Sequence, residues 1–461
     1  MLARMILKYK NPQADITIIE REDKIGGQFG SIDYGPHGFF DYGMHIYYES
    51  CVPEIDELFT SLLPESEWNI LEGNYKDAAG IFWNGKLQPK CPYPDLRAFS
   101  EEKLGKYISD LFITLKDNFN NSLNRTDDAY SILSSHFGKL IADEIFVPIL
   151  QKLYLNHSSC LDEIAVKLTA INRVAIFDEQ VMLDLMKSPS IRARICYPNQ
   201  YTLPACRTNT QRGFYPKKYG MFRVLNKFKS SLEKDGVKFL TSSSVSDIQL
   251  ENNSIQSLKI KNLNSEHEIN GIDEVYWTAG LPPLAQSLKI DLSGLKNDRR
   301  EAAVYVNLLF DKKPEMDLLY YFYCFDNGFR TFRVTNYANY CPGANESRGF
   351  PLCVELWPEQ GDAQDENSII ERAMRELKSF GVINDAYRLE FSKVEKVHGG
   401  GFPLPTINNI SNMNNIRDKI KNLEITNLIS IGVLSEKNIF FIKDILIDAY
   451  EKVTDKKLKL I

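Results

Sequence analysis

The chain has 461 residues, of which 43% are hydrophobic and 25% charged, and its formal net charge is −6. These values are typical of a globular protein of roughly two to three domains. The sequence carries no long basic block and no apolar run of about 18 residues. Composition therefore argues against a nucleic-acid partner, an anionic membrane surface and a transmembrane segment.

The first thirty residues carry part of a nucleotide-binding pattern. Leu2, Met5 and Ile6 have helical spacing, and a β-branched run then ends at Glu20, six residues before a Gly-Gly pair. In a doubly wound α/β domain, an acid at the end of the second strand accepts hydrogen bonds from the adenosine ribose. The phosphate loop G-x-G-x-x-G belongs upstream, between the first strand and the first helix. We therefore expect this sequence to open inside the first helix of such a domain, as a late start rather than a natural loss of a strand.

The next segments predict a change from strands to helices and back. Asp33 to Ser50 predicts two short strands joined by a turn, and Ser100 to about Leu185 has the three- and four-residue spacing of helices. Tyr215 to Ile260 reads as a turn, an amphipathic helix ended by Gly236, and then strand, turn and strand. The helical block is the expected substrate-domain insert.

The second half predicts a sheet followed by a return to the first domain. Glu274 to Thr278 predicts a strand, and Ala302 to Trp357 holds β-rich runs typical of an antiparallel sheet. A helix is predicted at about Asn367 to Phe380, a buried strand at Leu428 to Gly432, and an amphipathic helix at about Lys443 to Thr454. The predicted nucleotide-binding domain occupies 1–95, 211–298 and 401–461, the helical insert 96–210 and the antiparallel sheet 299–400.

The cysteines and histidines predict neither a disulfide framework nor a metal site. The eight cysteines include no C-x-x-C pair, and the six histidines lack the spacing of metal ligands. We expect reduced thiols, a cytoplasmic location and no bound metal.

Four segments together carry a resemblance to a known superfamily. They are IIEREDKIGGQFGS, FDYGMHIYYES, SILSSHFGKLIADEIFVPILQKLYLNHSSCLD and LISIGVLSEKNIFFIKDILIDAY. In this order and spacing they resemble the flavin-containing amine oxidases, protoporphyrinogen oxidases and UDP-galactopyranose mutases. The resemblance implies an α/β protein with a doubly wound, Rossmann-like FAD-binding domain, a helical insert and an antiparallel-sheet substrate domain. It implies an FAD-dependent oxidoreductase acting on a small molecule, with no conclusion about its oligomeric state.

The resemblance also implies roles for individual residues. Glu20 would hold the adenosine ribose, and Val245 would lie beside the adenine. The other residues implied to contact FAD are Gly26, Gly27, Gln28 and Ser31 near the pyrophosphate or flavin, Gly43, Met44 and His45 against the isoalloxazine, Thr278, Ala279 and Gly280 at a strand end, and Gly432, Val433, Ile442 and Lys443 near the ribityl-phosphate or flavin O2 edge. His45 and Arg333 are the catalytic candidates.

Several positions depart from the family patterns. Val433 stands where the family usually has Asp, Glu or Arg, and Phe441 and Lys443 replace acids of the mutases. Arg330 and Arg333 are the best candidates for an anion clamp, with two exposed strand residues as the alternative.

Two histidines and four tyrosines can be explained as structural residues as well as site residues. His45 and His398 are as well explained by structural roles as by ligand contacts. Tyr47, Tyr48, Tyr321 and Tyr323 would look the same in sequence whether they lined a pocket or filled a core.

Two other functions stay open at this point. One is a mutase-like flavoenzyme acting on a nucleotide sugar in surface glycan synthesis, in which reduced flavin is the nucleophile. The other is a degenerate, cofactor-less binding protein, which the absent phosphate loop and Val433 favour.

Overall fold

The structure is a computed structural model, and it describes residues 1–120, 128–169, 172–208, 210–263, 265–298, 303–345, 349–357, 365–397 and 403–458. His398 and the glycines that follow it lie outside these ranges.

The described strands are, in chain order, β1 (Thr17–Ile19), β2 (Ser31–Asp33), β3 (Phe39–Asp41), β4 (Tyr47–Tyr48), β5 (Trp68–Leu71), β6 (Ala79–Trp83), β7 (Lys86–Gln88), β8 (Gly213–Pro216), β9 (Lys238–Leu240), β10 (Ser243–Glu251), β11 (Ser254–Asn262), β12 (Glu266–Asn270), β13 (Val275–Trp277), β14 (Ala303–Phe310), β15 (Tyr321–Cys324), β16 (Thr331–Asn336), β17 (Phe350–Leu356), β18 (Leu389–Val397) and β19 (Leu428–Ser430).

The described α-helices are α1 (Leu2–Met5), α2 (Pro53–Thr60), α3 (Glu101–Asn120), α4 (Ala129–Phe137), α5 (Lys139–Ile141), α6 (Val147–Tyr154), α7 (Ile164–Leu168), α8 (Glu179–Leu185), α9 (Pro189–Arg192), α10 (Phe222–Lys234), α11 (Leu281–Ser287), α12 (Tyr337–Tyr340), α13 (Glu366–Ser379), α14 (Ile407–Lys421) and α15 (Ile442–Thr454). Helix α1 continues as a π-helical turn through Lys10, which confirms the helix predicted at the start of the sequence.

Two pairs of parallel strands stand where the nucleotide-binding domain was predicted. Strand β1 pairs in parallel with β9, and β13 pairs in parallel with β19. Helices α1, α2, α10 and α15 pack together, with Met5, Ile55, Val224 and Tyr450 among the buried side chains of their shared core. This arrangement brings segments from the beginning, middle and end of the chain into one layered unit, as the predicted returns of the chain require.

The largest sheet has the strand order β18-β14-β17-β16-β15-β6-β7 within the described residues. Its strands pair antiparallel except for β15 and β6, which run parallel, so the sheet is mixed rather than wholly antiparallel. Strands β6 and β7 come from the range 1–95, which was predicted to belong to the nucleotide-binding domain, so part of that range contributes to the large sheet instead. The predicted α/β class is confirmed, and the strands and helix predicted between Ala302 and Phe380 are present.

Helices α3 to α9 lie in the range predicted to be the helical insert, and they share a core with residues of β6 such as Ile81 and Trp83. Tyr107, Leu133, Phe137, Phe146 and Leu150 are fully buried there. None of the described helices is long and apolar enough to cross a membrane. His, Cys, Asp and Glu side chains in the described part of the chain form no cluster of three or more that could hold a metal ion.

Candidate functional site

A cavity of about 1920 Å³ runs between the parallel strands and one face of the large sheet. Residues of β1 and β13 form one part of its wall, and residues of β14 to β17 form another. The carboxyl ends of parallel strands are the usual position of ligands in open α/β sheets. The location of the cavity therefore makes it the candidate functional site.

Glu20 marks the first end of the cavity. Its backbone N–H donates to Leu240 at 2.8 Å and its carbonyl accepts from Ser243 at 2.9 Å, which fixes it at the end of β1. One carboxylate oxygen accepts the Glu22 backbone N–H at 2.9 Å, and the group lines the cavity. Val245 and Gln28 line it as well. A carboxylate held by the backbone at a strand end is placed to accept hydrogen bonds from hydroxyl groups.

The middle of the cavity is formed where β13 and β19 end. Thr278, Ala279 and Gly280 follow β13, and Val433 follows β19. Gly280 has a φ of +86° and stands at the N-terminal cap of α11, a backbone conformation that favours glycine. The two strand ends lie side by side because Val275 to Trp277 pair with Leu428 to Ser430 in register.

A buried arginine holds the loop after β19. Arg417, on α14, donates to the Leu434 carbonyl at 2.7 Å and to the Ser435 carbonyl at 3.1 Å, and its third nitrogen donates to Asn414 at 2.7 Å. Burial lowers the pKa of Arg417. Since Val433 and Leu434 line the cavity, this guanidinium positions part of its wall.

The far end of the cavity contains a buried ion pair, Arg333 with Glu355. The Arg333 Nη2 atom donates to Glu355 Oε2 at 2.8 Å and its Nε donates to the other carboxylate oxygen. Burial opposes the charge on Arg333, but Glu355 raises the pKa of the guanidinium well above its ordinary value. The guanidinium also lies 5.9 Å from the ring centre of Tyr323.

Aromatic and aliphatic side chains surround this ion pair. The Phe332 and Trp357 rings stack with centroids 4.5 Å apart. The Tyr323 and Phe325 rings are also stacked, with nearly parallel planes. The apolar and aromatic side chains of this part of the wall are Tyr154, Tyr305, Tyr323, Phe325, Phe332, Trp357, Leu404, Met413, Leu434 and Phe441. The far end is therefore an apolar pocket with one internally neutralised ion pair.

His45 and Gly43 pack behind the ion pair. Burial and the nearby Arg333 lower the pKa of His45 to about 4, with a Gly43 backbone interaction opposing them, so the imidazole is neutral at pH 7. Gly43 has a φ of +76°, and a Cβ there would lie 2.6 Å from Glu355 Oε1. Glycine is thus required at position 43 by both backbone conformation and space.

Asp41, two residues before Gly43, is fully buried among hydroxyl groups. Its carboxylate accepts hydrogen bonds from Ser31 and Tyr215 and from the Met221 backbone N–H at 3.3 Å. Burial raises the pKa of Asp41 to about 6, although the hydrogen bonds oppose this shift. The carboxyl group is consequently part of a polar network beneath the site rather than of the cavity wall.

Solved structures of flavoenzymes share this architecture. A reduced UDP-galactopyranose mutase superimposes with a TM-score of 0.71 at 14% identity, covering 98% of this chain and 91% of its own. A protein from Exiguobacterium sp. 255-15 assigned as a protoporphyrinogen oxidase gives 0.65 at 12%, covering 98% and 95%. A fatty acid isomerase from P. acnes that produces CLA gives 0.56 at 12%, also covering 98% and 95%. The chain has the fold that these solved structures share. No protein-family model and no curated protein matches the sequence.

Within this fold, the site residues implied by the sequence resemblance fall into two groups. The residues that line the cavity are Glu20, Gln28, Val245, Thr278, Ala279, Gly280, Arg333 and Val433. The residues outside the described lining are Gly26, Gly27, Ser31, Gly43, Met44, His45, Gly432, Ile442 and Lys443. Ser31 donates to Asp41, and Gly26 lies against Leu225, so both have packing roles in this structure.

The two arginines of the suggested anion clamp do not meet. Arg333 is in the large cavity, whereas Arg330 lines a separate cavity of about 240 Å³ together with Lys152. Arg330 immediately precedes β16 and Arg333 lies within it. Residues three positions apart in an extended segment have side chains on opposite faces, which separates the two arginines.

Among the four tyrosines, Tyr323 lines the cavity, whereas Tyr47 is buried and donates to Asp56 at 2.9 Å. Tyr321 donates to Asp77 at 3.4 Å, and Tyr48 lies under Lys76. The last three are therefore core or network residues in the described structure.

Sequence reasoning did not single out Glu355, Asp41 or Arg417. Glu355 was recognisable as an isolated acid in the apolar run LCVELW, which requires a buried partner. Asp41 stands in the segment FDYGMHIYYES, which was quoted for its resemblance to the superfamily. Arg417 gave no signal, because its role depends on a loop that is adjacent only in the fold.

Proposed function

We propose that the protein is a flavin-dependent oxidoreductase, with FAD as its cofactor, that acts on an apolar small molecule. The observation that carries the proposal is the continuous cavity from Glu20, past Gly280 and Val433, to the Arg333–Glu355 pair. The carboxylate of Glu20 at one end and the apolar side chains around the ion pair at the other support this proposal. The fold shared with solved flavoenzymes supports the same proposal.

The residues of the cavity fit the two ends of FAD. Glu20 would accept hydrogen bonds from the adenosine ribose, and Val245 would lie beside the adenine. Thr278 to Gly280 and Val433 would contact the flavin half, where close backbone approach is possible. The flavin, when bound, supplies the hydride or electron transfer, which explains why these residues include no evident acid–base pair.

The far end of the cavity, where Arg333 and Glu355 lie, favours apolar substrates. The Arg333 guanidinium lies 5.9 Å from the ring centre of Tyr323, and Glu355 already accepts hydrogen bonds from its Nε and Nη2 atoms. An anionic substrate would have to displace a buried carboxylate, which is costly. An uncharged, apolar substrate buries the aromatic wall without breaking the ion pair. In this pocket the protein would orient the substrate and exclude water.

A mutase-like activity on a nucleotide sugar is the second candidate. The structural similarity to a UDP-galactopyranose mutase, at a TM-score of 0.71, favours it. The neutralised Arg333, and the position of Arg330 in a separate cavity, argue against binding of a diphosphate in this pocket. A UDP-sugar that binds and is isomerised after dithionite reduction would support the mutase and contradict the oxidoreductase proposal.

The oxidoreductase proposal is tested with the purified, flavin-loaded protein under anaerobic conditions. Apolar amines and apolar compounds with activated C–H bonds are added in turn, and flavin absorbance is recorded. We expect at least one such class to bleach the flavin without UDP-sugar turnover. A loaded protein that no member of the panel reduces would contradict the proposal.

The position of the ribose is tested by a matched pair of variants. Glu20→Gln removes the carboxylate at the cavity, whereas Glu22→Gln changes an exposed carboxylate two residues later that pairs with Arg21. Loss of a hydrogen bond to a charged group costs about 1.5–3 kcal/mol, so we expect FAD affinity to fall roughly tenfold or more in the first variant alone. Equal affinity in both variants would remove Glu20 from the site.

A further inference from the structure

Two buried cysteines lie in contact outside the site described above. The sulfur atoms of Cys91 and Cys196 are 3.5 Å apart, and the residues are 2% and 5% exposed. They belong to a small core with Ala175, against which Tyr93 packs. The two residues are 105 positions apart in the chain, so the contact is made by the fold and not by local sequence.

The backbone on both sides of this contact is held in place. The Gln200 N–H donates to the Lys90 carbonyl at 2.8 Å, and the Cys196 N–H donates to the Val174 carbonyl at 3.0 Å. A disulfide requires the sulfur atoms to be about 2.05 Å apart, so they need to approach by about 1.4 Å. Rotation about the Cα–Cβ bonds moves the two sulfur atoms while this hydrogen-bonded backbone stays in place.

A cation stands next to the thiols. Burial, followed by the neighbouring Cys91, raises the pKa of Cys196 well above its ordinary value, and Arg173 opposes this effect. The guanidinium of Arg173 lies 5.8 Å from the ring centre of Tyr93, and its buried Nε has no hydrogen-bond partner within the described residues. Arg173 is therefore placed to stabilise a thiolate that forms at this pair.

We propose that Cys91 and Cys196 are a redox-active pair that closes to a disulfide in the presence of a peroxide. One thiolate attacks a peroxide oxygen, the O–O bond breaks, and a sulfenic acid and hydroxide form. The second thiolate attacks the sulfenyl sulfur, the S–O bond breaks, and a second hydroxide leaves as the S–S bond forms. With the two thiol protons the products are one disulfide and two water molecules, so the sulfurs lose the two electrons that hydrogen peroxide gains.

The disulfide would join two parts of the molecule. Cys91 follows β7 at the edge of the large sheet, and Cys196 follows α9 in the helical insert. Closing a loop of this length reduces the freedom of the unfolded chain, so the oxidised protein should be the more stable form.

The proposal is tested on the native, full chain with hydrogen peroxide as the probe. Samples are quenched with acid, alkylated, digested and analysed by mass spectrometry. We expect a cross-linked peptide containing Cys91 and Cys196, two hydrogens lighter than the reduced pair and lost after dithiothreitol, together with a Tm that rises by roughly 2–5 °C. Oxidation confined to the exposed Cys51, Cys160 and Cys206, with no such peptide, would overturn the proposal.

Variants distinguish the effect of the Cys91–Cys196 pair from that of other cysteines and of Arg173. Cys91→Ser should abolish the cross-link and the rise in Tm, whereas Cys160→Ser, at an exposed cysteine, should keep both. Arg173→Gln should slow cross-linking several-fold, and Arg173→Lys should restore part of the rate. An unchanged rate in Arg173→Gln would contradict the role of the cation.

Discussion

Arg333 and Glu355 face each other in register across the adjacent strands β16 and β17, with Arg333 Nη2 2.8 Å from Glu355 Oε2. The Glu355 side chain is 1% exposed and that of Arg333 is 18% exposed, so each charge depends on the other. Gly43 lies against both groups. This relationship ties the large sheet to the glycine-rich segment beside the cavity.

Removing one partner of the pair should destabilise the protein strongly. Glu355→Ala leaves a buried guanidinium without compensation, and such losses cost about 3–5 kcal/mol in the free energy of unfolding. Replacing both charges, as Arg333→Met with Glu355→Leu, should recover most of that loss. Urea denaturation of the three proteins is the measurement. A double variant as unstable as Glu355→Ala would show that the pair itself, and not the unpaired charge, sets the stability.

Alanine substitutions at two glycines test the close approach of neighbouring atoms at position 43. Gly43 has a φ of +76° and a Cβ there would collide with the ion pair, whereas Gly85 has a φ of +72° with no atom within 4 Å of its Cβ position. Both alanine variants pay the conformational penalty of about 1–2 kcal/mol. We expect Gly43→Ala to lose a further 1–3 kcal/mol or so because the ion pair must move. Equal midpoints in thermal unfolding would mean that the space beside Gly43 is not restrictive.

The pKa of Asp41 predicts a pH dependence of stability. Its folded-state pKa is raised to about 6, above the ordinary value of 3.8, because burial favours the protonated form. The contribution of this group is therefore fully present below about pH 3.8 and is lost as the pH rises through about 6. The full difference corresponds to roughly 3 kcal/mol in the free energy of unfolding.

Asp41→Asn should remove that component from the pH profile. We expect the difference in free energy of unfolding between wild type and variant to change by about 2–3 kcal/mol between pH 4 and 7, with wild type relatively more stable at low pH. His45 contributes in the opposite sense, since its pKa is lowered to about 4 and its contribution is lost as the pH falls through that value. His45 is present in both proteins, so the difference between wild type and variant reports the contribution of Asp41. A constant difference across the range would contradict the buried, protonatable state of Asp41.

Arg417 should matter for cofactor binding through the loop that it holds. Arg417→Lys keeps the charge but cannot reach the Leu434 and Ser435 carbonyls and Asn414 together. We expect FAD affinity to fall about tenfold, for a loss of roughly 1.4 kcal/mol. Lys419→Ala, two residues later on α14 and exposed, is the control, and isothermal titration is the measurement. A loss of the same size in the control would assign the effect to the helix as a whole.

The sequence was sufficient for the elements and insufficient for the contacts between them. The periodicity of Lys443 to Thr454 and the β-branched run before Glu20 predicted α15 and β1, because these patterns are local. Arg333 was found for its charge, but its partner Glu355 depends on the strand register, which no local pattern encodes. The same applies to Cys91 and Cys196, which sequence spacing placed among scattered reduced thiols.

Of the site residues carried over from the family patterns, some line the cavity and others do not, because only some of their positions follow from local sequence. Thr278 to Gly280 and Val433 lie at strand ends, and the fold brings strand ends to the cavity. Gly43 and His45 lie in a loop whose path depends on tertiary packing, and in this structure they pack behind the ion pair. Their proposed contact with a flavin remains a prediction.

The most direct test of the account is the flavin content of the protein itself. The protein is purified without added cofactor, its absorption spectrum is recorded, and the flavin released by heat denaturation is identified and quantified. We expect a yellow protein, or one that retains FAD after titration and removal of free FAD, with close to one flavin per chain. A correctly folded protein that is colourless, releases no flavin and binds none on titration would contradict it and favour a cofactor-less binding protein.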